Sequence, residues 1–234
     1  SFGIYVNIQS NLTVSGIISG NLIVDAYSLE NSGVIEGIFV DTWNGNSNSN
    51  GTWDINNNII YLSNPGETQI RTEIEGIDIQ LNSGSTANVY NNTVWISGVN
   101  RNNTTTYPNP STCLYVAPGA SGSSGITNVK NNIFINTRQG GSPNSDTYHT
   151  AIWHAHSSQA GWECNYNFFM NRYSASPTSY SYGRLGVWGL NAMHNLDTWN
   201  NFSGKDQNSW RVLYNNISSE AGLNPNDLFK DTLN

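Results

Sequence analysis

Val129-Lys130-Asn131-Asn132-Ile133-Phe134-Ile135-Asn136 decides the fold of this chain. The same pattern stands upstream as Ile55-Asn56-Asn57-Asn58-Ile59-Ile60-Tyr61-Leu62 and as Val89-Tyr90-Asn91-Asn92-Thr93-Val94-Trp95-Ile96. Downstream it returns as Cys164-Asn165-Tyr166-Asn167-Phe168-Phe169-Met170, and a weaker copy, Ile8-Gln9-Ser10-Asn11-Leu12-Thr13, begins the series. The last Asn of each strong copy falls at Asn58, Asn92, Asn132 and Asn167, intervals of about 34 to 40 residues, which is the range of stacked solenoid repeats. Asn tolerates the left-handed conformation that a tight bend needs. Stacked Asn side chains can also hydrogen-bond along the stacking axis, so these four are expected at equivalent bends as a buried ladder.

A second strand precedes each motif: Gly37-Ile38-Phe39-Val40, Gly76-Ile77-Asp78-Ile79, Cys113-Leu114-Tyr115-Val116 and Ala151-Ile152-Trp153-His154. Side chains alternate across a strand, so parity sorts them into columns. Ile38, Ile77, Leu114 and Ile152 point inward, as do Val40, Ile79, Val116 and His154. Phe39, Asp78, Tyr115 and Trp153 have the opposite parity and point outward. In the strand after the bend, Ile60, Val94 and Phe134 point in, and Tyr61, Trp95 and Ile135 point out. The expected fold is all-β, a right-handed parallel β-helix with long loops. Residues 1–171 supply its coils. Residues 172–234 form a short irregular extension packing on or continuing them, with a helical turn at Leu196 to Trp199 capped by Asn195 and a strand entry at Pro225 to Phe229.

Composition agrees with this reading. Only 11% of residues are charged, and turn formers with β-branched and aromatic residues replace the Ala, Leu, Glu and Lys of helical proteins. The net charge of −7 reflects scarce basic residues, nine Lys and Arg scattered from Arg71 to Lys230. Nucleic acid is therefore excluded as an expected partner, because phosphate binding needs a clustered basic face. No run of 18 apolar residues exists to insert in a membrane. With no initiator Met and no signal peptide, the chain reads as a mature or excised segment. Cys113 and Cys164 sit at apolar strand positions and read as buried thiols, with a disulfide between them as the alternative.

The Asn131-Asn132 motif followed by Ala151-Ile152-Trp153, the Asn165-Tyr166-Asn167 element, and the tail Leu196 to Trp199, Gly204-Lys205-Asp206 and Pro225 to Phe229 resemble one family. It is the secreted, pectate-lyase-like right-handed parallel β-helix repeat proteins of the bacterial type IX secretion, surface-adhesin kind. Asn165 stands where that family usually carries Asp, and no sorting domain is evident. The resemblance implies an extracellular or cell-surface location and adhesion or glycan contact more than a reaction.

Three constellations carry candidate chemistry. Outward aromatics Phe39, Tyr115 and Trp153 share one column and Tyr61 and Trp95 another, a ladder that could stack on sugar rings unless loops fold over it. Glu73, Glu75 and Asp78 form an acidic cluster in Arg71-Thr72-Glu73-Ile74-Glu75-Gly76-Ile77-Asp78. Alternation puts Glu73 and Glu75 on one side, and Gly76 could shift Asp78 to join them. The bland reading is a solvated strand edge, and calcium is the functional alternative, since hard oxygen ligands suit it. His154-Ala155-His156, with His149 and Glu163, has a metal-compatible spacing, although His154 falls in an inward column.

The expected function is that of a noncatalytic structural or adhesive β-helix segment that contacts a polysaccharide or a neighbouring surface protein. No cofactor is expected, calcium apart. The rival is a β-helix polysaccharide lyase or glycoside hydrolase, which needs a positioned pair of carboxyl groups.

Overall fold

The computed structural model describes residues 2–8, 13–24, 32–42, 50–64, 71–100, 110–118, 125–140, 148–156, 160–172, 183–189, 191–193 and 195–214. Three parallel sheets run along a β-solenoid. The first stacks Phe2–Asn7, Ser32–Asp41, Arg71–Leu81, Ser111–Pro118, His149–His154 and Gly183–Trp188, and ends on the antiparallel strand Asn191–Met193. The second stacks Gly16–Ser19, Gly51–Asn56, Ser85–Tyr90, Ile126–Lys130 and Trp162–Asn165. In the third, Leu22–Val24, Ile59–Asn64, Thr93–Asn100, Ile133–Asn136, Phe168–Arg172 and Trp210–Tyr214 follow one another. The chain visits the sheets in turn, so each strand pairs with its counterpart one coil away. Gly183–Trp188 and Trp210–Tyr214 carry this pairing past residue 171.

The inward columns are as the parity argument requires. Ile38, Ile77, Leu114 and Ile152 lie in register and are fully buried, and so do Ile60, Val94 and Phe134, joined by Phe169. Ile135 is fully buried without joining the core cluster: it lies in register with Trp95 and Met170 on the outward side and is covered there.

The four motif Asn residues make the expected ladder, but they do not occupy the left-handed position. The residue before each does: Asn57, Asn91, Asn131 and Tyr166 have φ of 55°, 56°, 57° and 57°. The division of labour is steric. The first residue of the pair turns the chain outward, and only then can the second send its side chain into the interior. Asn58, Asn92, Asn132 and Asn167 are accordingly buried. Each Oδ1 accepts both the backbone N–H and the side-chain amide of the preceding rung, from Asn21 onto Asn58, Asn58 onto Asn92, Asn92 onto Asn132 and Asn132 onto Asn167. The second amide hydrogen of Asn58, Asn92, Asn132 and Asn167 goes to the carbonyls of Ile18, Ile55, Val89 and Val129. The ladder thus begins at Asn21, whereas Asn11 in the weaker copy lies outside the described residues.

At the far end Asp206 terminates it. Its Oδ1 accepts from Asn167 Nδ2 and from Ser209 Oγ, and its Oδ2 accepts from the Trp199 indole at 2.8 Å. Trp199 belongs to the helix Leu196–Ser203, capped by Asn195, whose side chain accepts from Thr198 N, and closed by left-handed Gly204. The Pro225 to Phe229 strand entry lies outside the described residues. Cys113 and Cys164 are free, buried thiols. No helix among the described residues is long and apolar enough to cross a membrane.

Candidate functional site

The outward face of the first sheet is organised by a change of parity in its long strands. At Gly37 a Cβ would meet Ile60 Cγ2 at 2.6 Å, and at Gly76 it would meet Val94 Cγ1 at 2.2 Å. Both glycines therefore face the interior, as do Ile38 and Ile77 immediately after them. Two consecutive inward positions reset the alternation, so residues three apart across the glycine share the outward face. This brings Glu36 to the same face as Phe39, and Glu75 to the same face as Asp78.

Register then assembles two adjacent rows. Glu36 pairs with Glu75 and Glu75 with Thr112; Tyr5 pairs with Phe39, Phe39 with Asp78, Asp78 with Tyr115, and Tyr115 with Trp153. Strands about 4.8 Å apart make the second row about 19 Å long. It is aromatic at every rung except its centre. Tyr5 and Phe39 stack with ring centroids 5.1 Å apart, and Tyr115 and Trp153 meet edge to face at 5.6 Å. Phe39, Tyr115 and Trp153 are half-buried, Tyr148 packs edge-on against Trp153, and the Trp153 indole N–H is buried. Tyr61 and Trp95 form a separate tilted pair on the third sheet, 4.7 Å apart, tied back by Ser97 and Thr137.

The acidic centre corrects the reading of a solvated strand edge. Asp78 is only 1% exposed, and Glu75 and Glu36 are 6% exposed. One carboxylate oxygen from each of these three lies within 4.8 Å of the others. Glu73, half-buried, is not among them, and Glu36 takes its place. Gln80 Nε2 donates to Asp78 Oδ2 at 2.9 Å and the Glu75 carboxyl also hydrogen-bonds Asp78, while Glu36 Oε2 is buried with no hydrogen-bond partner.

Burial and mutual repulsion favour the protonated forms. Burial pushes Glu36 up to about 7, against the positive charge of the terminal amine and with the Glu73 charge adding to it. Asp78 rises to about 8, chiefly by burial, against the opposing Gln80 amide. Glu75 is raised well above the ordinary carboxylate range by burial and then by Asp78, Glu73 and Glu36. Tyr115 is raised by burial and then by the charges of Glu75, Asp78 and Glu73. The buried Arg138 guanidinium lies near enough to Glu73 to oppose that residue's upward shift.

The histidines belong to the interior. His154 stacks on Trp188 at 4.2 Å, and its Nδ1 bonds the His156 carbonyl at 2.7 Å. Burial holds it down at about 4, so it is neutral. His149 bridges Ser111 Oγ and the Gly140 carbonyl, and burial lowers it to about 3. Glu163 pairs with Lys205 at 2.8 Å. These residues therefore converge on no common point.

Glu36 was the residue that sequence reasoning missed. A signal existed, because Glu36-Gly37-Ile38 and Glu75-Gly76-Ile77 are identical triplets at equivalent places in successive coils. No family, no curated protein and no solved structure matches the chain.

Proposed function

We propose that this β-solenoid is a noncatalytic extracellular or cell-surface segment whose first sheet binds an extended glycan. The observation that carries the reading is the outward row of Tyr5, Phe39, Tyr115 and Trp153, in register and flanking one acidic centre. Aromatic faces complement the C–H faces of sugars, and rungs at a constant spacing suit a regular polymer. The secreted, surface-adhesive character implied by the Asn-motif resemblance fits such a partner, as does the sparsely charged composition.

An oligosaccharide array followed by titration of a responsive glycan tests this. Trp153→Ala and Tyr115→Ala should each weaken binding about tenfold or more, a loss of the size one aromatic contact supplies. Trp210→Ala, removing a 75% exposed indole from the third sheet, should leave it unchanged. Binding that ignores Trp153 and Tyr115 overturns the assignment.

One observation favours a second reading as a polysaccharide-cleaving enzyme. The Glu36, Glu75 and Asp78 oxygens are spaced closely, and the paired carboxyl groups of retaining glycosidases stand about 5–5.5 Å apart. Release of reducing ends or unsaturated products, lost in Asp78→Asn, would establish it.

A further inference from the structure

We propose that Glu36, Glu75 and Asp78 form a binding site for a divalent cation, calcium by its chemistry, at the centre of the first sheet's outward face. The inference concerns the metal alone and stands or falls independently of glycan binding.

The spacing is compatible with one shared ion. Oxygens about 2.4 Å from one calcium ion lie at most about 4.8 Å apart. One oxygen of each of the three carboxyl groups meets that limit against both others. The cluster also contains an acceptor that the protein leaves unused: Glu36 Oε2 is buried without any donor, whereas Asp78 is hydrogen-bonded by Glu75 as well as by Gln80. Buried oxygens of this kind are costly unless something supplies positive charge or a proton. Among the described residues the side-chain ion pair is Lys205 with Glu163, on another face. Arg138 acts on Glu73 rather than on the three; the positive charge of the terminal amine reaches Glu36, while Asp41 and Glu73 add negative charge beside the cluster.

Donor type selects the cation. Three carboxylates offer up to six hard oxygens and no nitrogen or sulfur, which disfavours zinc. Mutually adjustable carboxylates suit the six to eight ligands of calcium better than the strict octahedron of magnesium. The Gln80 amide fixes Asp78 through Oδ2, as a supporting residue around a metal site does. Repetition of Glu-Gly-Ile in two coils places Glu36 directly beside Glu75, so the stacking itself builds the site.

Terbium luminescence on the intact chain tests the proposal, with Tyr115 and Trp153 as sensitisers, since Tyr115 lies in register with Asp78. At pH 8, terbium emission should saturate and calcium should compete it away at least tenfold more effectively than magnesium. Glu75→Gln and Asp78→Asn should each weaken calcium competition tenfold or more, whereas Asp54→Asn, on the second sheet, should not. Both site variants relieve charge repulsion, so their metal-free melting temperatures should equal or exceed that of the parent chain. That result separates lost ligands from lost folding. No saturable emission, no competition by about 10 mM calcium, or equal calcium competition in the site variants overturns the proposal.

Discussion

Asn92 is bound to Asn132 through a single oxygen: its backbone N–H and its side-chain amide both donate to Asn132 Oδ1, at 2.9 and 3.0 Å. One amide thus satisfies a main-chain donor and a side-chain donor of the coil before it. Its own nitrogen meanwhile donates to the Val89 carbonyl at 2.8 Å. Such a rung has no spare capacity, so losing it leaves several buried groups unpaired.

Asn132→Leu should accordingly lower stability by about 3 kcal/mol, the cost of orphaned buried donors and a buried carbonyl. For a chain of this size that is a fall of roughly 6–12 °C in melting temperature. Asn201→Ala, an exposed change on the helix, should shift it little. Thermal melts of both variants check the contrast.

Tyr166 occupies the left-handed position that Asn fills at the three earlier bends, and its side chain is 56% exposed. A Cβ-bearing aromatic residue there costs about 1–2 kcal/mol, which Asn partly avoids. Tyr166→Asn should raise stability by about 1 kcal/mol. Denaturant titration should show a higher midpoint with an unchanged slope.

Gly76→Ala should disrupt the acidic centre by displacing backbone. The added methyl would fall 2.2 Å from Val94 Cγ1 and 2.6 Å from the Cys113 carbonyl oxygen, and the carbonyl cannot swing aside as a long side chain can. A loss of about 3 kcal/mol, within the range for overpacking a core, is expected by thermal unfolding, together with weakened terbium binding.

Stability without divalent cations should fall as pH rises from about 6.5 to 8. Glu36 and Asp78, held at about 7 and 8, bind more protons folded than unfolded, so their contribution is present at low pH and is lost as pH climbs through those values. His149 and His154, depressed to about 3 and 4 from 6.5, act oppositely and offset part of the fall at the start of this window, their contribution being complete by about pH 7.5. The slope should be at most about 1.4 kcal/mol per pH unit for each carboxyl, and Glu75→Gln should make it shallower. Unfolding free energies across this window, in chelator, provide the measurement.

The sequence by itself determined the coil. Two periods were enough: the two-residue alternation that put Ile38, Ile77, Leu114 and Ile152 in one core column, and the Asn-pair recurrence that aligned Asn58, Asn92, Asn132 and Asn167. Both are local or regularly repeated, so they survive in a linear reading. Tertiary structure decided what depended on contacts between coils. Which Asn of each pair turns left-handed follows from the ladder reaching inward, and Asp206 ends that ladder only because the helix presents Trp199 to it. Gly76 resets parity because the third sheet lies directly beneath it. That reset, with the register of Glu36 on Glu75, converts three ordinary acids into one buried cluster. Burial raises their proton affinity through loss of water, and no spacing of letters encodes how much water neighbouring coils remove.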